Sequence, residues 1–231
     1  MKIILSLLLA GKLSKFLLTG GTMLLSVFTY ALVFGWWYAV GFVALIFCHE
    51  MGHFLAARQR GLKVGAPCFI PFVGAWVELK EQPMDAETEA YVGLAGPVVG
   101  SAAAFVCYLV AREIQSPLLF ALAYAGFMIN LFNLIPLSPL DGGRIVSVIS
   151  PRIWYLGLPI LIGLFLWKPS PMLILIAIVA APQVFAVFRN KTDTNAAYYQ
   201  TPLSLRINYA LQYLILAGFL AVSVYELHEK V

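Results

Sequence analysis

Apolar residues run along this chain in long blocks separated by short charged loops. Residues 16–49 contain no Lys, Arg, Asp or Glu. That is too long for one crossing of a ~30 Å hydrocarbon layer, which ~20 apolar residues span. Two helices are therefore predicted there, with a break near Gly35, Trp36 and Trp37, whose rings suit a membrane interface. Further uncharged runs follow at 90–111, 114–140, 153–167, 169–188 and 207–225, the third of them short and interrupted by Pro159. The pattern predicts an all-α polytopic membrane protein with six or seven transmembrane helices, a single integral-membrane domain over residues 1–231.

Two segments depart from this pattern. Lys2 and the apolar residues 3–10 resemble the start of a signal peptide, but Leu8 stands where a cleavage site needs a small side chain. The stretch reads as a retained interfacial helix with Lys12 and Lys15 at the headgroups. In residues 66–83, Pro67, Pro71 and Gly74 break any helix, and Trp76-Val77-Glu78-Leu79-Lys80 alternates with period two. A short membrane-associated strand or hairpin is predicted. Gly93, Gly96 and Gly100 form a small-residue face, read as close helix packing.

Composition agrees: 61% of residues are hydrophobic and 11% charged, against about 25% charged in a soluble domain. The net charge of +4 comes from basic residues that do not cluster, so no nucleic-acid partner is expected. Cys48, Cys68 and Cys107 are odd in number and widely spaced, which argues for free thiols. Assigning alternate loops to opposite sides puts twelve of the 15 Lys and Arg on one side and only Arg112, Lys168 and Lys230 on the other. By the positive-inside rule the N-terminus and the loop after Arg58 face the cytosol, and the C-terminus lies outside. Asn190-Lys191-Thr192 fits a glycosylation sequon but falls on the cytosolic side, and is read as a chance match.

Candidate chemistry sits in His49-Glu50-Met51-Gly52-His53, near the cytosolic end of the second predicted helix. Residues four apart share a helix face, so both imidazoles can reach one metal ion, with Glu50 placed to take a proton from water. Two His and a Glu in an apolar helix are costly without a partner, and imidazole and carboxylate ligands favour zinc. A catalytic zinc needs a third protein ligand. His228 lies on the predicted outer side, and Glu113 adjoins Arg112 at an interface. Asp141 ends the run 114–140, bordered by Pro136, Pro139, Gly142 and Gly143, on distorted backbone of the kind tolerated only around buried or wet sites. Loop parity places it on the same side as His49 and His53.

With these motifs the chain resembles the site-2 protease family of intramembrane zinc metalloproteases, in a compact form without an inserted PDZ domain or an appended CBS domain. His49-Glu50-Met51-Gly52-His53 is similar to that family's zinc helix. Asn133 to Gly143 resembles its Asn-Pro-Asp-Gly segment, and Gly93-Leu94-Ala95-Gly96-Pro97 matches the intervening helix. The likeness covers about 40–150. It implies one zinc ion per chain held by His49, His53 and Asp141, with Glu50 as general base and Asn133 orienting the substrate or holding the oxyanion. An amide in a membrane helix is also ordinary interhelical glue, so Asn133 alone decides less. The implied partners are the lipid bilayer and membrane-protein substrates with a transmembrane segment. The implied location is a prokaryotic cell membrane, multi-pass, with the active site toward the cytosol. A metal transporter or metal-binding membrane scaffold without hydrolysis would use the same ligands but has no need of Glu50 as a base.

Overall fold

The computed structural model describes residues 2–72, 74–77, 81, 83–188 and 197–230, with the backbone alone for 2–17, 76, 183 and 186–188. Glu78, Leu79 and Lys80 of the alternating stretch, Arg189 and Lys191 among the basic residues, and the Asn190-Lys191-Thr192 sequon lie outside these residues.

Helix α1 (Lys2–Phe34) is one continuous helix, so the predicted interfacial segment has no boundary of its own. It ends where expected, at Gly35, whose φ of 86° no β-carbon readily accepts. Helix α2 (Trp36–Gln59) follows at once. The segment after it forms a hairpin of β1 (Cys68–Ile70) and β2 (Gly74–Trp76), antiparallel with Cys68 opposite Trp76 and Ile70 opposite Gly74. The hairpin lies earlier than the alternating stretch, and Val77 is already past β2.

Hydroxyls of α1 cover the free side of β1. Thr19 Oγ1 donates to the Pro67 carbonyl at 2.7 Å, while the Phe69 and Phe72 N–H groups donate to Thr22 Oγ1 and Tyr30 Oη. These bonds satisfy backbone groups that an exposed sheet edge would leave open. Among the described residues, the only backbone partners of β2 are on β1.

Helix α3 (Ala86–Ile114) starts at Asp85, whose carboxylate accepts from the Thr88 N–H at 2.7 Å, with Glu87 and Glu89 in the first turn complementing the helix dipole. Helix α4 (Pro117–Asn133) is capped by Ser116. It stops at Asn133 and does not fill the uncharged run to 140, because prolines at 136 and 139 lack the N–H a helix needs and crowd the preceding turn. The chain folds back through 134–140 onto the short helix α5 (Asp141–Ile149). A β-carbon at Gly142 would strike the backbone of Leu134 and Ile135, so this close return requires glycine. Helices α6 (Trp154–Trp167), α7 (Pro171–Phe188) and α8 (Leu203–His228) complete the chain.

Among the described residues, α2, α3 and α8 are long and apolar enough to cross a membrane. The observed class is thus helical with a small two-stranded sheet, as expected, and includes these three helices of membrane length. The core formed by α3, α4, α5 and α8 centres on Phe127, Ile145 and Leu220, all almost fully buried. A second cluster joins α6 and α7 to the 134–140 turn through Leu137, Leu161 and Ile176. Between these clusters α2 meets α3 and α4, and the polar site lies there.

Candidate metal centre

His49 and His53 stand one turn apart on α2, and Asp141 opens α5, so the turn at 134–140 sets the carboxylate against the two rings. His49 Nε2 and His53 Nε2 are 3.0 Å apart. The Asp141 carboxylate places Oδ2 3.1 Å from the first and Oδ1 3.2 Å from the second. Residue exposures are 4% for His49, 6% for His53 and 7% for Asp141. Ligands held at ~2.0–2.1 Å in a tetrahedron stand about 3.3 Å from one another. The contacts between the rings and from each ring to one carboxylate oxygen are near that spacing, and one ligand atom from each residue falls within 4.8 Å of the others.

The outer ring nitrogens decide which atoms carry protons. His53 Nδ1 lies 2.8 Å from the Val92 carbonyl, which can only accept, so Nδ1 bears the hydrogen. His49 Nδ1 lies 2.8 Å from Asn130 Oδ1. The Asn130 amide is oriented by its own Nδ2, which donates to the Gly126 carbonyl at 2.7 Å, so His49 Nδ1 is also the donor. With Nδ1 so engaged, each ring in its neutral form turns the Nε2 lone pair inward, toward the carboxylate oxygens. Three acceptors gathered there repel one another unless a cation, a proton or a metal ion, joins them. The three side chains consequently fit a metal ion, each offering one ligand atom.

Glu50 projects from the same turn of α2. It is 5% exposed, and among the described residues its Oε2 has no hydrogen-bond partner. A buried carboxylate oxygen left open costs several kcal/mol, roughly, unless a ligand or water meets it. It faces a cavity of about 120 Å³ lined also by His49, His53, Asn133, Asp141 and Arg144, with Ala75 of β2 and Val77 on the wall. A larger cavity of about 710 Å³ shares His49, Glu50, Asn133 and Arg144 with it. Its remaining walls are mostly apolar, including Phe42, Ile46, Phe132 and Ile176.

All five predicted site residues, His49, Glu50, His53, Asn133 and Asp141, thus line one cavity. His228 instead meets Tyr124 Oη at 3.2 Å at the end of α8. Cys48, Cys68 and Cys107 are free thiols.

Sequence reasoning missed Asn130, the residue that fixes the His49 ring. Its signal was a second amide one turn before Asn133 in an otherwise apolar helix. The glycine face on α3 also carries more than packing. A β-carbon at Gly96 would overlap the His53 ring, and one at Gly100 would lie 2.5 Å from Asn130 Oδ1. Those glycines make room for the polar groups of the site.

Fold and site define a helical protein with membrane-length apolar segments around a buried group able to hold a metal ion. Residues 37–117 match the family model of Peptidase family M50. That segment contains His49, Glu50 and His53 and identifies it as a Peptidase family M50 segment, which bears out the resemblance to the site-2 protease family. A zinc metalloprotease of Methanocaldococcus jannaschii is 32% identical over 128 residues, 52% of this chain and 37% of that protein. A chloroplastic protein of Arabidopsis thaliana named as a probable zinc metalloprotease is 27% identical over 157 residues, 47% of this chain and 28% of that protein. The chain therefore spans about a third of the length of these curated relatives. A solved site-2 protease from Methanocaldococcus jannaschii matches with TM-score 0.48 and 22% identity, over 78% of this chain and 87% of that one.

Proposed function

We propose that this chain is an intramembrane zinc metalloprotease that hydrolyses peptide bonds in or near the transmembrane segments of other membrane proteins. The observation that carries the reading is the convergence of His49 Nε2, His53 Nε2 and the Asp141 carboxylate at 3.0–3.2 Å, set beside a buried glutamate whose Oε2 has no partner among the described residues. A structural role would pair that carboxylate, whereas a general base must keep it open toward water and substrate.

His49, His53 and Asp141 hold one zinc per chain. A bound zinc supplies Lewis acidity and lowers the pKa of water to ~7. Glu50 accepts the proton of the attacking water and returns it to the leaving amine. Asn133, on the same cavity, donates its amide hydrogens to the oxygen of the scissile carbonyl. The apolar cavity next to this site suits side chains of a membrane segment.

Peptide bonds inside a helix are closed to attack, so the substrate must unwind before cleavage. The outer edge of β2 supports a way to hold it. The other side of β1 is occupied by hydroxyls of α1, and Ala75 and Val77 line the cavity with Glu50. An extended substrate pairs with that edge through main-chain hydrogen bonds. In the membrane, the shorter apolar helices join the three long ones to make six or seven spans. The bias of basic residues turns the site toward the cytosol of a prokaryotic cell.

The test replaces Glu50 by Gln in cells producing the full chain, and compares the membrane proteins that accumulate. Substrates are expected to persist uncut with Glu50→Gln while purified protein keeps its zinc. Identical membrane proteomes with active and substituted chains, together with unchanged metal flux through both, would reject hydrolysis and favour transport.

A further inference from the structure

Arg144 stands on α5, one turn after Asp141, and is half-buried. It lines the 120 Å³ cavity of the metal centre, the 710 Å³ apolar cavity, and a third of about 320 Å³ shared with Glu89, Ser138, Tyr198 and Tyr199. The side chain therefore sits where the three spaces meet. Among the described residues its guanidinium forms no hydrogen bond and no salt bridge. Two carboxyls face the same spaces without pairing to it. Glu89 is engaged by Tyr198, whose hydroxyl donates to Oε2 at 2.6 Å. Glu50 keeps Oε2 open.

A guanidinium with five N–H donors, partly withdrawn from water and unpaired among the described residues, is open to an anionic partner. The charge balance points the same way. A zinc dication, the Asp141 and Glu50 carboxylates and Arg144 leave one positive charge in the cavity. A carboxylate would neutralise it, and the planar fork of arginine fits carboxylate oxygens two at a time.

We propose that Arg144 binds a carboxylate of the polypeptide in the site. The carboxylate is either an acidic side chain flanking the scissile bond or the new C-terminus that hydrolysis creates. This rests on the protease reading. In the first case Arg144 selects substrates; in the second it draws the cut end away from the metal toward the polar cavity beside Tyr198.

The experiment uses the full-length Glu50→Gln chain in detergent micelles, so that no peptide is consumed, and measures fluorescence anisotropy. The probe is a labelled alanine–leucine hexapeptide in three forms: a C-terminal amide, a free C-terminal carboxylate, and the amide with one central Leu replaced by Glu. At least one carboxylate form is expected to bind about tenfold more tightly than the neutral amide. The added Arg144→Gln change should abolish that preference, and Arg144→Lys should keep part of it, with zinc content and affinity for the neutral form unchanged. Preference for the internal Glu identifies the side chain as the source, and preference for the free carboxylate identifies the product end. Equal binding of all three forms, or a preference that survives Arg144→Gln, overturns the proposal. Glu50-dependent cleavage without carboxylate preference would reject the Arg144 role alone. Carboxylate preference in a chain that never cleaves would reject the protease reading and leave Arg144 as an anion site.

Discussion

Asn130→Ala removes an acceptor that touches no metal yet holds a metal ligand in place. Its Oδ1 receives the His49 Nδ1–H at 2.8 Å, and the amide is 3% exposed, so water does not readily replace it. Leaving that N–H buried and open costs ~1–3 kcal/mol. Loss of a partner behind a metal-bound histidine typically weakens metal affinity about 10–100-fold, equivalent to ~1.4–2.7 kcal/mol. The two figures agree, so zinc affinity of Asn130→Ala should fall by that factor, measured by competition with a chelator in micelles at neutral pH. Asn130→Asp keeps an acceptor and should lose less. Gly100→Ala places a β-carbon 2.5 Å from Oδ1 and should push the same amide away. Because both changes act on one contact, their combination should cost less than the sum of the two. Parent-like zinc affinity in Asn130→Ala, or strictly additive losses, would refute this role for Asn130.

Gly96→Ala should displace the His53 ring and lower zinc occupancy while the helices persist, which metal analysis alongside circular dichroism would show; full occupancy would mean α3 yields at that point. Val77→Pro should reduce cleavage of a membrane-anchored reporter and Val77→Thr largely preserve it, with zinc unchanged in both, and normal cleavage by every Pro variant from 74 to 77 would dispose of the strand-edge role. Burial, and next its bond to Glu89, push the Tyr198 phenol above its ordinary range. A raised folded-state pKa gives stability that is present below the unfolded value of about 10 and lost as pH rises beyond it. Thermal melts should therefore fall more steeply above about pH 10 in the parent than in Tyr198→Phe, and equal slopes would contradict the assignment.

What the sequence disclosed follows from how local each signal is. His49, Glu50 and His53 lie within one helical turn, and the helix period alone puts the two rings together. The break at Gly35 was legible because aromatic residues and a glycine interrupt an uncharged run. Asp141 could be singled out only by its neighbours, since its distance from the rings depends on a fold-back that prolines at 136 and 139 allow but do not specify. Asn130 showed only as a second amide one turn before Asn133. It meets His49 across 81 residues, and an amide in an apolar helix has no spacing that separates a ligand's partner from helix glue. The glycines of α3 announced close approach, but which groups approach was a matter of tertiary packing. The end of α4 at Asn133 was not marked in the sequence, because an absence of charge does not distinguish helix from the proline-rich turn that follows it.

X-ray absorption at the zinc edge of the purified full-length protein examines the ligand triangle itself. The account predicts one zinc per chain, two imidazole nitrogens at ~2.0–2.1 Å, carboxylate oxygen at ~2.0–2.2 Å and no sulfur. A sulfur shell at ~2.3 Å, which would bring Cys48 into the site, or a spectrum with a single imidazole, would contradict the assignment of His49, His53 and Asp141.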